Sequence, residues 1–469
     1  MILWSRFNTL FCSERFGLFI YNALSNTLIE LDEVHYKVLE RFRESRGGFD
    51  TGSDSVFIAL LRECKILLDE GEESRLLLTR QYRRQTVCFD SSRLALTICP
   101  TLECNFRCPY CFEHSQQNSA VMTPDTINRL ISFIKSYQDV RHLSIAWYGG
   151  EPLLAFEVIC DLMEKINDLD LVFEGSGLIT NGYLLDSEKI SRLNNLKINS
   201  VQITLDGPEE VHDTRRFLSG GGPTFRRIME NVDTLMNSSY EGVCTIRVNI
   251  DKHNLDQFIV LRSALLERFK GKKLSVYAGQ VNTGFDHSYD GTCNLDMVSW
   301  KDFNLAMRRR IGQPTGAFYP GGNMDSICIA TTHNGFVVGP EGELYKCWED
   351  AGKEAMVIGS IFRDNHVANP ELQALYSTGI DAYNDPECRK CDVLPICGGG
   401  CANKRLRAKQ FGEKGLEFCS PYKEHLIIYL ESYIDYFRSM EICEALLTQG
   451  VEKHDSQGFR VISPEKKEC

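Results

Sequence analysis

The chain has 469 residues, of which 43% are hydrophobic and 25% charged, with a formal net charge of −12. That length holds two or three globular domains, and the acidic balance argues against a nucleic-acid binder, which needs a basic face. No apolar run is long enough to span a bilayer and no basic leader precedes one, so the sequence predicts neither a membrane span nor a secretory signal and points to the cytoplasm. Nineteen cysteines are many for such a chain. Disulfides, metal ligation and free thiols compete to explain them. A reducing compartment disfavours disulfides and favours metal.

Residues 1–85 read as a small separate α+β domain. Residues 18–22 and 27–30 are strand candidates joined by a turn at Ser25 and Asn26. Asp32 is placed to cap a helix carrying Val34, Val38, Leu39 and Phe42 on one face. A second helical pattern runs through Val56, Phe57, Leu60, Leu61 and Cys64. The polar, basic stretch 79–85 reads as a linker.

From 90 to 315 strands and helices alternate. Strand candidates are 94–98, 142–147, 178–180, 201–205, 245–248 and 274–277. Thr123 and Pro124 form an N-cap and first-turn pair for a helix bearing Ile127, Leu130, Ile131 and Ile134. Six β/α units predict an α/β fold, a partial (β/α)6 barrel with its functional groups at the C-terminal strand ends.

The first of these strands runs into Cys104, Cys108 and Cys111, spaced C-x3-C-x2-C. A four-iron cluster normally takes one thiolate per iron. Three thiolates leave one iron open to a small chelating molecule. Zinc, the competing reading, wants a closed set of four ligands in a structural site, and no fourth stands nearby.

This loop, with Tyr110 at its aromatic position, resembles the radical S-adenosylmethionine (SAM) superfamily. The resemblance implies that SAM chelates the open iron and is cleaved to a 5′-deoxyadenosyl radical, which abstracts hydrogen from the substrate. Later segments extend it. Gly149, Gly150 and Glu151 are similar to the superfamily's GGE turn; the glycines are expected to bring backbone close to a ligand, and the carboxylate to pair with the methionine ammonium of SAM. Thr180 and Asn181 end the third strand where they would meet the SAM ribose or carboxylate. The pairing of 205–208 (LDGP) with 212–216 (HDTRR) resembles peptide-modifying members, and by that analogy Asp206 and Arg216 lie near SAM. Gly220, Gly221 and Gly222 read as cover over a substrate channel, because no phosphate-loop lysine follows them.

Residues 316–440 carry Cys328, Cys347, Cys388, Cys391, Cys397, Cys401 and Cys419. Taken alone, part of this set also reads as a zinc ribbon. The whole resembles the SPASM domain, which implies two auxiliary [4Fe-4S] clusters and three in all. The nearer would use Cys328, Cys347 and Cys401; the farther Cys388, Cys391, Cys397 and Cys419. The nearer then lacks a fourth thiolate; Asn334 with neighbouring His333, or the distant Cys293, are the alternatives to an open iron. Sulfatase-maturing relatives carry an aspartate directly after the second SPASM cysteine. Here Cys347 is followed by Trp348, with Glu349 and Asp350 beyond as candidate catalytic proton acceptors. The helical pattern through Leu426, Ile427, Leu430 and Tyr433 is expected to close the barrel or pack on the cluster domain. Residues 452–469 read as a flexible tail.

The hairpin–helix–helix order at the N-terminus resembles the winged-helix, PqqD-like leader-recognition domain, whose sheet edge accepts a peptide strand. Together these resemblances imply an oxidoreductase that installs a cross-link, a cysteine thioether, in a ribosomally made precursor peptide bound through its leader. It would draw electrons from an external flavodoxin- or ferredoxin-type donor. The alternatives are a carbon–carbon or carbon–oxygen cross-linking or side-chain-oxidising maturase of the sulfatase type, and a non-catalytic iron–sulfur or peptide-binding protein.

Overall fold

A computed structural model of the chain describes residues 2–45, 55–113, 118–281, 293–311, 319–320, 328–448 and 458–464. The chain divides into two compact units, one of Met1–Val87, Arg308–Ile327 and Gly379–Cys469, the other of Cys88–Met307 and Cys328–Thr378. Among the described residues no helix is long and apolar enough to cross a membrane.

The first unit begins with strands β1 (Ile2–Trp4), β2 (Asn8–Ser13), β3 (Gly17–Asn22) and β4 (Thr27–Leu31), then helices α1 (Glu33–Ser45) and α2 (Ser55–Glu63) and strand β5 (Leu67–Asp69). Strands β2, β3 and β4 form an antiparallel meander. Asp32 caps α1 as expected, its Oδ1 accepting the His35 N–H at 2.8 Å. The next helix, α3 (Glu72–Cys88), absorbs the stretch that reads as a linker. Its 79–85 stretch is polar, basic and only partly buried, which disguises it, while Leu76 and Leu77 one turn earlier pack against the core.

The second unit contains β6 (Arg93–Ile98), α4 (Pro124–Ser136), β7 (His142–Trp147), β8 (Val172–Thr180), β9 (Ile198–Leu205), β10 (Val243–Ile250) and β11 (Leu274–Gln280). These six strands pair in parallel and in sequence order. On the far side of β6 the sheet continues through β12 (Gly335–Val338), which is parallel to β6. It ends with the antiparallel β13 (Glu343–Tyr345) and β14 (Gly359–Ser360). Thr123 caps α4 by accepting the Thr126 N–H at 3.1 Å, and Ile127, Leu130, Phe133 and Ile134 are buried beneath it.

The first unit closes with a long helix, Tyr422–Thr448, and a short strand, β15 (Phe459–Val461). The helix packs on the N-terminal sheet: Leu426, Leu430, Tyr433 and Ile434 share one core with Phe11, Phe19, Tyr21 and Leu28. The opposite sheet face buries Ile20, Ile29 and Leu31 against Leu39, Phe57 and Leu61 of α1 and α2. Burial on both faces explains the unbroken apolar run of β3. The same core includes Val393, Leu394 and Ile396, with Cys388, Cys391 and Cys397 packed against it, so the helix also packs on the cysteine-rich segment as expected. Strand β15 pairs with β4 inside the stretch that reads as a tail, whereas residues 452–457 and 465–469 of that stretch lie outside the described residues.

Fully buried Asn22 pins the turn between β3 and β4. Its Nδ2 donates to Asn8 Oδ1 and to the Lys65 carbonyl, and its Oδ1 accepts the Ser25 N–H at 2.8 Å. Asn22→Ala strands these buried partners and should cost about 2–3 kcal/mol, read as a lowered midpoint in chemical denaturation. An unchanged midpoint would contradict this.

Candidate active site

The cysteine loop leaves β6 at Ile98 and has little regular structure of its own, so it must be held from outside. Isolated bridges tie Thr101 to Val121 and Phe106 to Leu218. Arg107 N–H donates to the Phe217 carbonyl and Ser219 N–H to the Asn105 carbonyl. The triple glycine, expected to cover a channel, instead follows this pairing segment, and Leu218 and Gly222 close the turn with a 3.0 Å hydrogen bond.

The GGE turn after β7 holds the loop from the other side. Gly150 N–H donates to the Thr101 carbonyl, and Glu151 N–H to the Glu103 carbonyl at 2.8 Å. A Cβ on Gly149 would lie 2.3 Å from Thr101 O, and one on Gly150 2.4 Å from Glu103 O. The close approach that demands glycine on the protein side is to the cysteine loop itself.

A cavity of about 250 Å³ opens at the C-terminal ends of the parallel strands. Cys104, Cys108, Cys111, Tyr110, Gly149, Gly150, Thr180, Asn181, Arg216 and Glu349 all line it. Three predicted residues stand behind its walls. Glu151 is fully buried; its Oε1 accepts Thr180 Oγ1 at 2.7 Å and Leu153 N–H, and its Oε2 accepts Asn181 N–H at 2.7 Å. Burial raises its carboxyl above the usual range, against the pull of these donors. Asp206 is held by Arg215 Nε at 2.9 Å, while Arg215 Nη1 reaches Asp251 at 2.8 Å. Asp350 accepts the Tyr376 hydroxyl.

The HDTRR segment divides its work. Burial holds His212 neutral, between the Asp206 N–H and Thr224 Oγ1. Asp213 Oδ1 caps the helix Phe225–Asn237 by accepting the Thr224 and Phe225 N–H groups. The two arginines then converge on Tyr110. Arg215 lies over its ring at 5.1 Å, and Arg216 Nη1 donates to its hydroxyl at 2.9 Å.

Several wall residues carry no motif. Tyr148 and Trp348 stack at 5.5 Å and both line the cavity. The only sequence signal for them is an aromatic residue flanking the GGE turn and another flanking Cys347. Glu113 is buried there, its carboxyl pushed up to about 8 by desolvation, and its Oε1 has no partner among the described residues. Asn249 lines the cavity and donates to the Tyr110 hydroxyl at 3.3 Å.

In the first unit, Cys388, Cys391, Cys397 and Cys419 line one cavity of about 100 Å³. Arg405 Nη1 donates to Cys388 Sγ at 3.2 Å and Lys423 stands in the same wall, a cationic setting suited to thiolates. Cys401 belongs to this unit, and Cys328 and Cys347 to the other. Asn334 Nδ2 is turned toward the Ser91 carbonyl, His333 packs on Phe89, and Cys293 Sγ lies 2.9 Å from His253 Nε2. Among the described residues no three His, Cys, Asp or Glu side chains converge as ligands of one metal ion. A cubane places each thiolate on a separate iron, and three thiols on one cavity wall fit that geometry. Arg216 adds a buried cation whose Nε has no hydrogen-bond partner among the described residues, a fit for a carboxylate-bearing ligand.

Residues 98–265 match the model of the radical SAM superfamily. The chain is 27% identical over 370 residues to the cysteine-type anaerobic sulfatase-maturating enzyme of Clostridium perfringens, covering 71% of this chain and 95% of that enzyme. It is 23% identical over 383 residues to the serine-type enzyme of Bacteroides thetaiotaomicron, covering 71% and 88%. Among solved structures it resembles anSMEcpe with bound AdoMet and Cp18Cys peptide, with a TM-score of 0.55, 21% identity, and coverage of 76% of this chain and 100% of that one. It also resembles Streptococcus suis SuiB bound to its precursor peptide SuiA, with a TM-score of 0.52, 16% identity, and coverage of 90% and 100%.

Gly150→Ala should push the GGE turn off the cysteine loop, at a stability cost of about 1–3 kcal/mol. Iron bound per chain after anaerobic reconstitution should fall below that of the wild type. Full iron loading with an unchanged denaturation midpoint would contradict the latch. The chain carries a radical SAM domain and is a homologue of the anaerobic sulfatase-maturating enzymes.

Proposed function

We propose that the protein is a peptide-modifying radical SAM enzyme that forms a cross-link, a cysteine thioether, in a ribosomally made precursor peptide. The observation that carries this reading is the cavity in which Cys104, Cys108 and Cys111 share a wall with Arg216, Thr180, Asn181 and Glu349. What SAM and a [4Fe-4S] cluster supply when bound is a hydrogen-abstracting 5′-deoxyadenosyl radical. Cys104, Cys108 and Cys111 hold that cluster, and Arg216 and Asn181 orient the methionine end of SAM. Glu151 acts indirectly, by fixing Thr180 and Asn181. The stacked Tyr148 and Trp348 shield the reacting carbon from water. Glu349, which lines the cavity, accepts the proton released by the substrate; Asp350 is committed to Tyr376.

Cys388, Cys391, Cys397 and Cys419 hold one auxiliary [4Fe-4S] cluster, and Cys328 and Cys347 are ligands of a second. An external one-electron donor of the flavodoxin or ferredoxin type reduces the enzyme. The N-terminal α+β domain, residues 1–85, receives the peptide's leader. The wider coverage by SuiB, 90% of the chain against 76% for the sulfatase-maturating structure, supports a precursor-peptide substrate. A second reading, oxidation of a single side chain as in sulfatase maturation, is favoured by the sequence relationship to those enzymes. Trp348 in the position directly after Cys347 speaks against it.

Incubation with a cysteine-containing peptide from any short open reading frame found beside the gene should remove two hydrogens and one alkylatable thiol per link. Glu349→Gln should still cleave SAM while lowering peptide modification about 100-fold or more. Loss of hydrogens with every thiol still alkylatable would overturn the thioether, and undiminished modification by Glu349→Gln would overturn its role.

A further inference from the structure

Strand β4 would be an edge of the N-terminal sheet but for one contact. The far end of the chain lies against it as β15. Phe459, Arg460 and Val461 pair antiparallel with Leu31, Glu30 and Ile29. The ladder extends at both ends, through Asp32 N–H to the Gly458 carbonyl at 2.8 Å and Ile462 N–H to the Leu28 carbonyl at 3.0 Å.

Strand alternation sends the two large side chains to opposite faces of the sheet. Phe459 packs against Phe57 at 4.9 Å and against His35 at 5.3 Å, on the α1–α2 face. Ile462 is 2% exposed and sits in the core with Leu28 on the other face. Between them Val461 is 44% exposed and anchors nothing. Gly458 has φ +75°, and a Cβ there would lie 2.2 Å from Asp32 Oδ2, so glycine is favoured at the start of the strand. The occupant is thus a short extended segment with two apolar side-chain anchors, Arg460 laid over the Phe437 ring at 5.1 Å between them, and a glycine at its start.

Such a contact has the attributes of a bound peptide rather than of a structural strand. Its specificity comes from main-chain pairing plus side chains in alternate pockets, which is how peptides are recognised by strand addition. The meander β2–β3–β4 and the helices packed on it bury both of their faces through other residues.

We propose that the β4 edge is an acceptor site for an extended substrate peptide and that Gly458–Ile462 is its resident competitor, an autoinhibitory strand displaced when the peptide docks. This rests on the reading that the enzyme acts on a peptide. The chemistry of the edge defines the partner. It is an extended segment with an aromatic residue for the His35–Phe57 pocket and a branched aliphatic residue three positions later. The residue opposite Glu30 is neutral or basic, since a like charge there would repel. Tethering gives the resident strand a high effective concentration, so weakly matched peptides are kept out.

The test uses a fluorescein-labelled peptide with the sequence of residues 456–464, titrated by anisotropy into anaerobically reconstituted protein. Three forms are compared: the full chain, the full chain carrying Phe459→Ala, and a chain ending at Thr448. Wild-type iron content certifies the fold of each. The truncated chain and the Phe459→Ala chain should bind the peptide at least about tenfold more tightly than the full chain. Replacing the phenylalanine of the peptide by alanine should abolish binding. Equal binding by all three forms, or no binding by an iron-replete Phe459→Ala chain, would overturn the proposal. The probe is the chain's own segment and no turnover is measured, so its failure leaves the peptide-modifying reading intact. Tight probe binding without peptide modification would sink that reading alone.

Discussion

Two carbonyl groups facing two glycines hold the candidate site together. The loop that carries the three candidate cluster ligands forms neither a helix nor a strand of its own. Its backbone polar groups therefore need partners from neighbouring segments. The Thr101 and Glu103 carbonyls find theirs in the N–H groups of Gly150 and Glu151. The approach is so close that no side chain fits at Gly149 or Gly150. Adjacent parallel strands β6 and β7 make this contact possible, since their C-terminal turns emerge side by side.

Buried charge then sets the far wall. Asp206 and Asp251 leave water only because Arg215 bridges them, and one guanidinium thereby ties the end of β9 to the end of β10. The net stability of such a buried network is small or negative when weighed against apolar packing. What it supplies is placement. With Arg215 committed to the aspartates and laid over the Tyr110 ring, Arg216 is aimed at the Tyr110 hydroxyl and the cavity. Tyr110 is in turn part of the cysteine loop, so the charged wall and the thiol wall are fixed by the same residue.

Much of this was legible in the sequence, for identifiable reasons. The six parallel strands announce themselves by short apolar runs separated by helical periodicity, both of which are local patterns. The cysteines of the loop and the quartet Cys388, Cys391, Cys397 and Cys419 were legible from spacing, and each group lines one cavity. The roles of neighbouring residues were less so. Glu151 and Asp206 carry the motif, yet their carboxylates orient other residues from behind the cavity wall, and only packing distinguishes a residue that touches a ligand from one that positions its neighbour. The 79–85 part of α3 reads as a linker because the apolar residues that dock the helix, Leu76 and Leu77, lie before it. The packing of the helix Tyr422–Thr448 on the N-terminal sheet and the existence of β15 depend on contacts between segments far apart in sequence, which leave no periodic trace.

The central claim is that three thiolates of this loop hold a cluster with one iron open to SAM. The most direct measurement is the electron paramagnetic resonance spectrum of the dithionite-reduced protein with and without SAM, taken beside the yield of 5′-deoxyadenosine. The account predicts a signal that SAM shifts and that feeds 5′-deoxyadenosine formation, with both effects missing in Cys108→Ala. A protein that binds zinc in place of iron, or a reduced cluster whose signal is indifferent to SAM and yields no 5′-deoxyadenosine, would contradict it.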